Sequence, residues 1–405
     1  MSRLRAVAAA LTLGLPFAAT AADITRVASS FEDNDPFGMF IDVGVEHLQH
    51  RSHILRERIS ADTGAKELQS ELAYSDYETR LNVDIAAGIS QDVEFSFGLP
   101  FVLFRNEYIN RAEGVTAGNS SIPDWNGGRS GASLEVPYKV YRRGLGNARF
   151  GLAWAIFNQK RDDTKPTWVA RINYEAPTAG LLDPSLDTRD DNSATPVGDR
   201  LHKYTLSTAL SRQIGLAEPY FRASYTIPVR GPGAYSNCAH PELLDAGNRG
   251  NCGINGWDRA ATGTQGPQVL GVVVGSEFQL IDNPTRYIRL DVRAVSNFVG
   301  SGRYYNELSG PLRKMLTTTE YLQVGGQAGV TVRLAEAIAI RGSAMFLYTT
   351  DHTLTAEPQG RDSTTVDSPA DANPNYDPRW DAAGERFYAS ESKDLRFDAT
   401  VTFAF

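Results

Sequence analysis

The sequence predicts an all-β protein: a transmembrane antiparallel up-and-down β-barrel of about twelve strands, with short periplasmic turns and long extracellular loops. Three observations carry the prediction. Apolar and polar residues alternate over stretches of roughly ten, the length a strand needs to cross a bilayer. The chain begins like a secretory leader. It ends on a striped strand whose last residue is an aromatic, Phe405.

Arg3 and Arg5 form a basic start, Ala6 to Phe17 a largely apolar run, and Ala19-Thr20-Ala21-Ala22 supplies small residues ahead of Asp23. This order predicts a signal peptide over 1–22, an N-terminal periplasmic or luminal segment over 23–38, and a barrel over 39–405. No Cys stands at the cleavage point, which argues against a lipoprotein anchor. Nor does the rest of the chain hold an apolar run long enough for a helical span. Net charge −8, pI near 5.4 and mean hydropathy −0.31 match soluble proteins equally well. A barrel has the same averages, because its lumen and loops are polar and only alternate strand residues meet lipid. The acidic balance, without a basic patch interleaved with aromatics, argues against nucleic acid as partner. The 36 Gly, 17 Tyr and 18 Phe suit a β-rich chain with aromatic belts.

The stripes run in order. The first begins near Met39. Leu81, Val83, Ile85 and Ala87 form the second, and Val93, Phe95, Phe97, Leu99 and Phe101 the third. A fourth begins near Phe150, and Trp168, Ala170, Ile172 and Tyr174 make the fifth. Others start near Tyr204, Phe221 and Leu270, followed by Ile288, Leu290, Val292 and Ala294, then by stripes near Leu322 and Ile338. Leu395 to Phe405 supplies the last. Successive strand residues point to opposite faces, so each stripe is one side of a strand.

Tight connectors (90–92, 215–218, 282–285, 335–337) take turns with long ones near 106–146, 178–198, 230–267, 300–318 and 353–390. An even count puts both termini on the periplasmic side. The stretch 132–143 also alternates; counted as a spanning strand it spoils the parity, so it is expected to be a hairpin extension or a segment folded into the lumen. Fourteen strands remain an open alternative. A soluble sandwich would use strands of about 5–6 residues.

Lipid is therefore expected to cover the row Leu395, Phe397, Ala399, Val401, Phe403 and Phe405, and closure to pair its edges. The other parity lines the lumen. It carries Asp84, Arg171, Glu175, Arg222, Glu277, Arg289, Asp291, Arg293, Arg333, Arg341 and Arg396, together with Asp42, Glu46, Arg80, Glu94, Arg149, Lys203 and Asp398. Lys or Arg facing lipid costs about 2–4 kcal/mol at the midplane, which forces this placement. Facing a water-filled passage, these charges select solutes; interlocked, they make a salt-bridged plug.

Cys238 and Cys252, the two cysteines, are expected to form a disulfide in an oxidising compartment, worth about 3 kcal/mol for a loop of this size. His47 and His53 share one face of a strand and His50 takes the other, so they do not converge on a metal. Asp371, Asn373, Asn375 and Asp377 alternate as in a calcium loop, but Tyr376 stands where Gly is needed, and the stretch reads as a solvated acidic loop. Asp351 and His352 are strand neighbours that point apart, with no acidic pair to complete a protease site. Neither a catalytic site nor a cofactor is expected.

Several stretches resemble a family of outer-membrane barrels named for a MetA pathway of phenol degradation: GISQDVEFSFGLPFV (88–102), GLGNARFGLAWAIF (144–157), TWVARINYEAPTAG (167–180) and residues 198–228. The resemblance implies a barrel and passage of small molecules. The final strand likewise resembles the C-terminal signature of such barrels, with Phe397, Val401, Phe403 and Phe405 as the signal read by the insertion machinery. The expected location is the outer membrane of a Gram-negative cell, with outer-membrane lipid and that machinery as partners. Three functions follow: a channel or specialised transporter for small hydrophilic or aromatic solutes, an export port for a polysaccharide or other secreted polymer, or a non-conducting structural or surface-interaction barrel.

Overall fold

A computed structural model describes residues 22–28, 38–60, 62–116, 118–122, 136–186, 195–282, 286–335, 337–361 and 368–405. Residues 1–21 of the expected leader lie outside them. The strands are β1 (Met39–Ile59), β2 (Lys66–Ser90), β3 (Val93–Arg111), β4 (Tyr138–Leu145), β5 (Ala148–Phe157), β6 (Thr167–Ala176), β7 (Leu201–Ser211) and β8 (Ala217–Arg230). They continue as β9 (Val269–Asp282), β10 (Tyr287–Val299), β11 (Gly302–Tyr304), β12 (Leu316–Thr318), β13 (Tyr321–Ala335), β14 (Ile338–Thr349), β15 (His352–Thr353) and β16 (Phe387–Ala404).

Each wall strand pairs antiparallel with its neighbours, and β1 pairs β16 from Phe40↔Ala404 to Arg56↔Phe387, which closes the wall. The result is a barrel of 12 strands. β4 and β5 run down the same edge of β3, β4 beside its outer half and β5 beside its inner half, so the two form one interrupted wall strand. The alternating stretch 132–143 therefore supplies, from Tyr138 on, a hairpin extension above the membrane.

Register shows why the stripes exist. One outward row runs Phe95, Leu152, Ile172, Leu206, Tyr225, Leu270, Phe298, Leu322 around more than half the wall. All eight are exposed, by 38% or more. The adjacent inward row runs Glu94, Ala153, Arg171, Ser207, Ser224, Gly271, Asn297, Gln323. A greasy ring of this extent backed by polar side chains needs lipid as its outer solvent. At the outer rim of this belt, Tyr77 and Tyr108 meet edge-on with centroids 6.2 Å apart, and Lys139 lies over Tyr141 at 4.3 Å. Amphipathic rings and cations of this kind mark the interface between acyl chains and water.

This geometry predicts the effect of a single charge. Leu206→Arg puts a guanidinium into the belt and is expected to cost about 2–4 kcal/mol. Thr205→Arg, one position away, enters the lumen and should cost far less. The folded fraction of each, read from heat-modifiable electrophoretic mobility, checks the difference.

The first strands overshoot the membrane: β1 and β2 have 21 and 25 residues. Their upper parts carry an outer cap. Ile54, Leu72, Tyr74, Ile109, Tyr138 and Val140 of the wall pack with Leu308, Leu312, Leu316, Leu354 and Trp380 of the long loops. Cys238 and Cys252 are joined in a disulfide that closes one of these loops.

Candidate functional site: the lumen and its two closures

The lumen is built by the inward parity, and the register places all eleven residues singled out above on it. Most are paired. Arg149, two strands away, donates to Asp84 Oδ1 at 3.0 Å; Gly98 lies between them, where a Cβ would collide with the Asp84 carboxylate. Lys203 donates to Glu175 at 3.0 Å. Arg171 reaches Glu94 at 3.5 Å, and Arg289 lies 3.8 Å from Glu277. Asp291 accepts from Arg293 at 3.0 Å and from Arg341 at 2.9 Å. Arg396 is 3.6 Å from Glu46, and Arg333 lies over the Tyr287 ring at 4.9 Å. Arg222 differs. Among the described residues it makes no hydrogen bond or ion pair, and its Nε is buried without a partner.

The pairs do not fill the barrel. A cavity of about 320 Å³ is lined by Arg222, Arg293, Arg396, Asn297, Gln327 and Asp398, among others. It shares Leu48, Gln323 and Asp394 with an outer cavity of about 250 Å³ lined by Tyr74, Asp76, Arg105, Tyr304, Tyr321 and His352. A third, of about 420 Å³, lies between Asp84, Arg149, Glu175 and Lys203.

Two closures bound this space. At the inner mouth, residues 22–28 lie inside the wall. The Ala22 N–H donates to Glu218 Oε1 at 2.7 Å, the Asp23 N–H to Glu277 Oε1 at 2.7 Å, and the Ala28 N–H to Glu94 Oε2 at 2.6 Å. Val27 has no exposed surface and packs on Ala153, Ala155 and Val169. At the outer mouth, the β11–β12 hairpin is latched to the wall. Tyr305 donates to Glu107 at 2.8 Å and accepts from Arg142 at 2.7 Å, while His50 bridges Asp394 at 2.5 Å and Glu307 at 3.3 Å.

Several expectations change here. The stretch from Asp371 to Asp377 is not a solvated acidic loop. Asn373, Asn375 and Asp377 are all at least 98% buried, with Asn373 donating to Glu357 at 2.8 Å and Asp377 accepting from Arg379 at 2.6 Å. These short polar side chains cap and cross-link loop backbone inside the outer cap. The histidines divide as expected, His47 outward on Thr79 and His50 inward on two carboxylates. His352 stacks on Tyr321 at 4.3 Å. Among the described residues no group of three or more His, Cys, Asp or Glu could hold a metal. The outer ring of Asp76, Glu78, Arg105, Glu107 and Arg142 was missed. Leu103 is an extra residue against β2, and this bulge turns Arg105 and Glu107 inward, against the parity of Phe95 to Phe101.

The cap also carries a pH dependence. Asp381 is 2% exposed and accepts from the Asp377 and Glu357 N–H groups. Burial, with the Glu357 charge adding to it and Lys314 opposing it, pushes its carboxyl up to about 7. A folded-state value above the unfolded one means that the cap binds the extra proton. Cap stability should therefore fall as pH rises from the ordinary carboxylate range to about 7, then level off. Glu357 has the opposite sign. Burial would raise it, but Arg303 together with the Thr317 and Asn373 hydrogen bonds outweighs burial and holds it below its ordinary value, so its contribution is lost only in stronger acid. Hydrogen exchange in residues 368–386 across pH 4–8 (about the range in which carboxylates of this kind titrate) checks this; Asp381→Asn should flatten the profile near neutrality.

No family model matches the chain, and no curated protein matches it. Among solved structures, an outer membrane channel from Pseudomonas putida F1 is similar at 9% identity and a TM-score of 0.42, over 90% of this chain and 95% of that one. A Pseudomonas aeruginosa FadL homologue follows at 10% and 0.36, over 93% and 96%. The CymD monoaromatic hydrocarbon channel is similar at 9% and 0.34, over 91% and 88%. These likenesses are distant, and the functional reading rests on the geometry above.

Proposed function

We propose that this chain is a gated outer-membrane channel for small solutes, held shut at both mouths, with a central step that prefers anions. The observation that carries the reading is Arg222, a guanidinium without a carboxylate partner beside a cavity of about 320 Å³ that Arg293 and Arg396 also line. Arg222 is half-buried, with its Nε enclosed; a purely structural barrel gains nothing from holding such a cation without a carboxylate, whereas water or a passing anion in the cavity compensates it. The apolar belt supports the location, and the aromatic walls of the outer cavity suit a solute that joins a ring to a negative group. Recording from the purified protein in a planar bilayer tests this. Anion-selective openings are expected, with the preference lost in Arg222→Gln. Cation selectivity, or selectivity indifferent to Arg222, overturns the proposal.

A further inference from the structure

Beyond what passes through the barrel, the inner mouth holds a buried carboxylate, Glu218, that the intact chain leaves half satisfied among the described residues. We propose that the leader is removed after Ala21, one residue before the boundary its composition suggests, and that the α-ammonium so created on Ala22 is bound by Glu218, which locks residues 22–28 into the inner mouth. Ala19-Thr20-Ala21 has the small-x-small pattern of a leader cleavage site. Ala22 is 0% exposed, and its nitrogen lies 2.7 Å from Glu218 Oε1, which also accepts from Ser211 at 2.7 Å. Glu218 is itself 2% exposed, and among the described residues its other oxygen, Oε2, has no partner.

An amide at Ala22 offers one N–H and no charge. It leaves a buried carboxylate half satisfied, an arrangement that folded proteins avoid. An ammonium offers three N–H groups and a positive charge in direct contact with the carboxylate. Hydrolysis supplies it with nothing left over. Water adds across the Ala21–Ala22 amide, its oxygen ends on the Ala21 carboxylate, and both its protons end on the Ala22 nitrogen as –NH3⁺. The neighbouring contacts fix the same segment: Asp23 N–H on Glu277 at 2.7 Å, the Thr25 hydroxyl on the Ala22 carbonyl at 3.2 Å, and Ala22 and Ile24 packed on Ala209, Tyr220 and Val273. The inner closure thus becomes complete only after export and processing, a timing that the wall alone would not impose.

The test needs no transport. N-terminal sequencing of protein extracted from outer membranes should begin at Ala22; a start at Asp23 or elsewhere overturns the proposal. The Ala22 amine should react with an N-hydroxysuccinimide ester at least about tenfold more slowly in the folded barrel than in the denatured chain, the factor a single charge-assisted hydrogen bond carries. Glu218→Gln should raise the folded-state rate several-fold, with burial of Ala22 keeping it below the denatured rate, while the barrel keeps its heat-modifiable mobility. If that variant does not fold, a Gly-Ser pair inserted after Ala21 displaces the amine from Glu218 and should react at the denatured rate. Undiminished protection in either variant overturns the assignment.

Discussion

Deleting residues 22–28 behind an intact leader is expected to open the barrel from its periplasmic end and raise single-channel conductance several-fold. The segment fills the inner mouth with side chains that have no exposed surface, Ala22, Thr25 and Val27 among them. It donates backbone N–H groups to Glu218, Glu277 and Glu94. Deletion removes those donors, but water enters the vacated space and replaces them, so the wall should keep its fold. Paired lumen groups such as Arg171 and Glu94 then meet solvent, and their mutual attraction weakens as water screens it. Conductance at low and high salt checks the second point, since an open, charged lumen shows selectivity that fades with ionic strength. A deletion variant as quiet as the parent even when the outer cap is also released would mean that residues 22–28 do not obstruct the path.

How much of this could be read in advance follows from where each part sits relative to lipid. Within the bilayer the solvent on one face is apolar and on the other aqueous, so the two parities are forced apart and twelve stripes announce the wall. Above the bilayer that contrast ends. The upper parts of β1 and β2 carry Arg56, Glu57 and Glu71 beside Ile54 and Leu72, because the cap buries both kinds of residue there. Leu308, Leu312 and Leu316 recur every fourth residue, a faint sign of a packed segment inside what reads as a polar loop. Trp380 gives no such sign; its burial depends on side chains brought in from other segments, such as Ile54 of β1, Leu72 of β2 and Leu308 of another loop. The inner closure was hidden for another reason. Residues 22–28 have no period, and their partners lie 196 and 254 residues away.

Glu357→Ala should release the outer cap while leaving the wall intact. Glu357 is 5% exposed and accepts from Arg303 Nε at 3.0 Å, from Asn373 at 2.8 Å and from the Thr317 hydroxyl. Arg303 is 6% exposed and also ties down the Ala261 and Gly263 carbonyls at 2.8 and 3.1 Å. Three loops therefore converge on one ion pair. Removing one partner of a buried pair leaves the other charge uncompensated and costs about 3–5 kcal/mol, a large share of the stability a module of this size can have. The 230–267, 300–318 and 353–386 loops should become sensitive to protease at concentrations that leave the parent untouched, with heat-modifiable mobility unchanged. The double variant Arg303→Met, Glu357→Leu replaces the pair by apolar groups of similar size and should recover much of the resistance, which separates a charge effect from a packing defect. Inner and outer closures act in series on any solute, so the larger barrier limits the current. Glu357→Ala combined with deletion of 22–28 is therefore expected to raise conductance by more than the sum of the separate changes; simple additivity would mean that the two closures guard different paths.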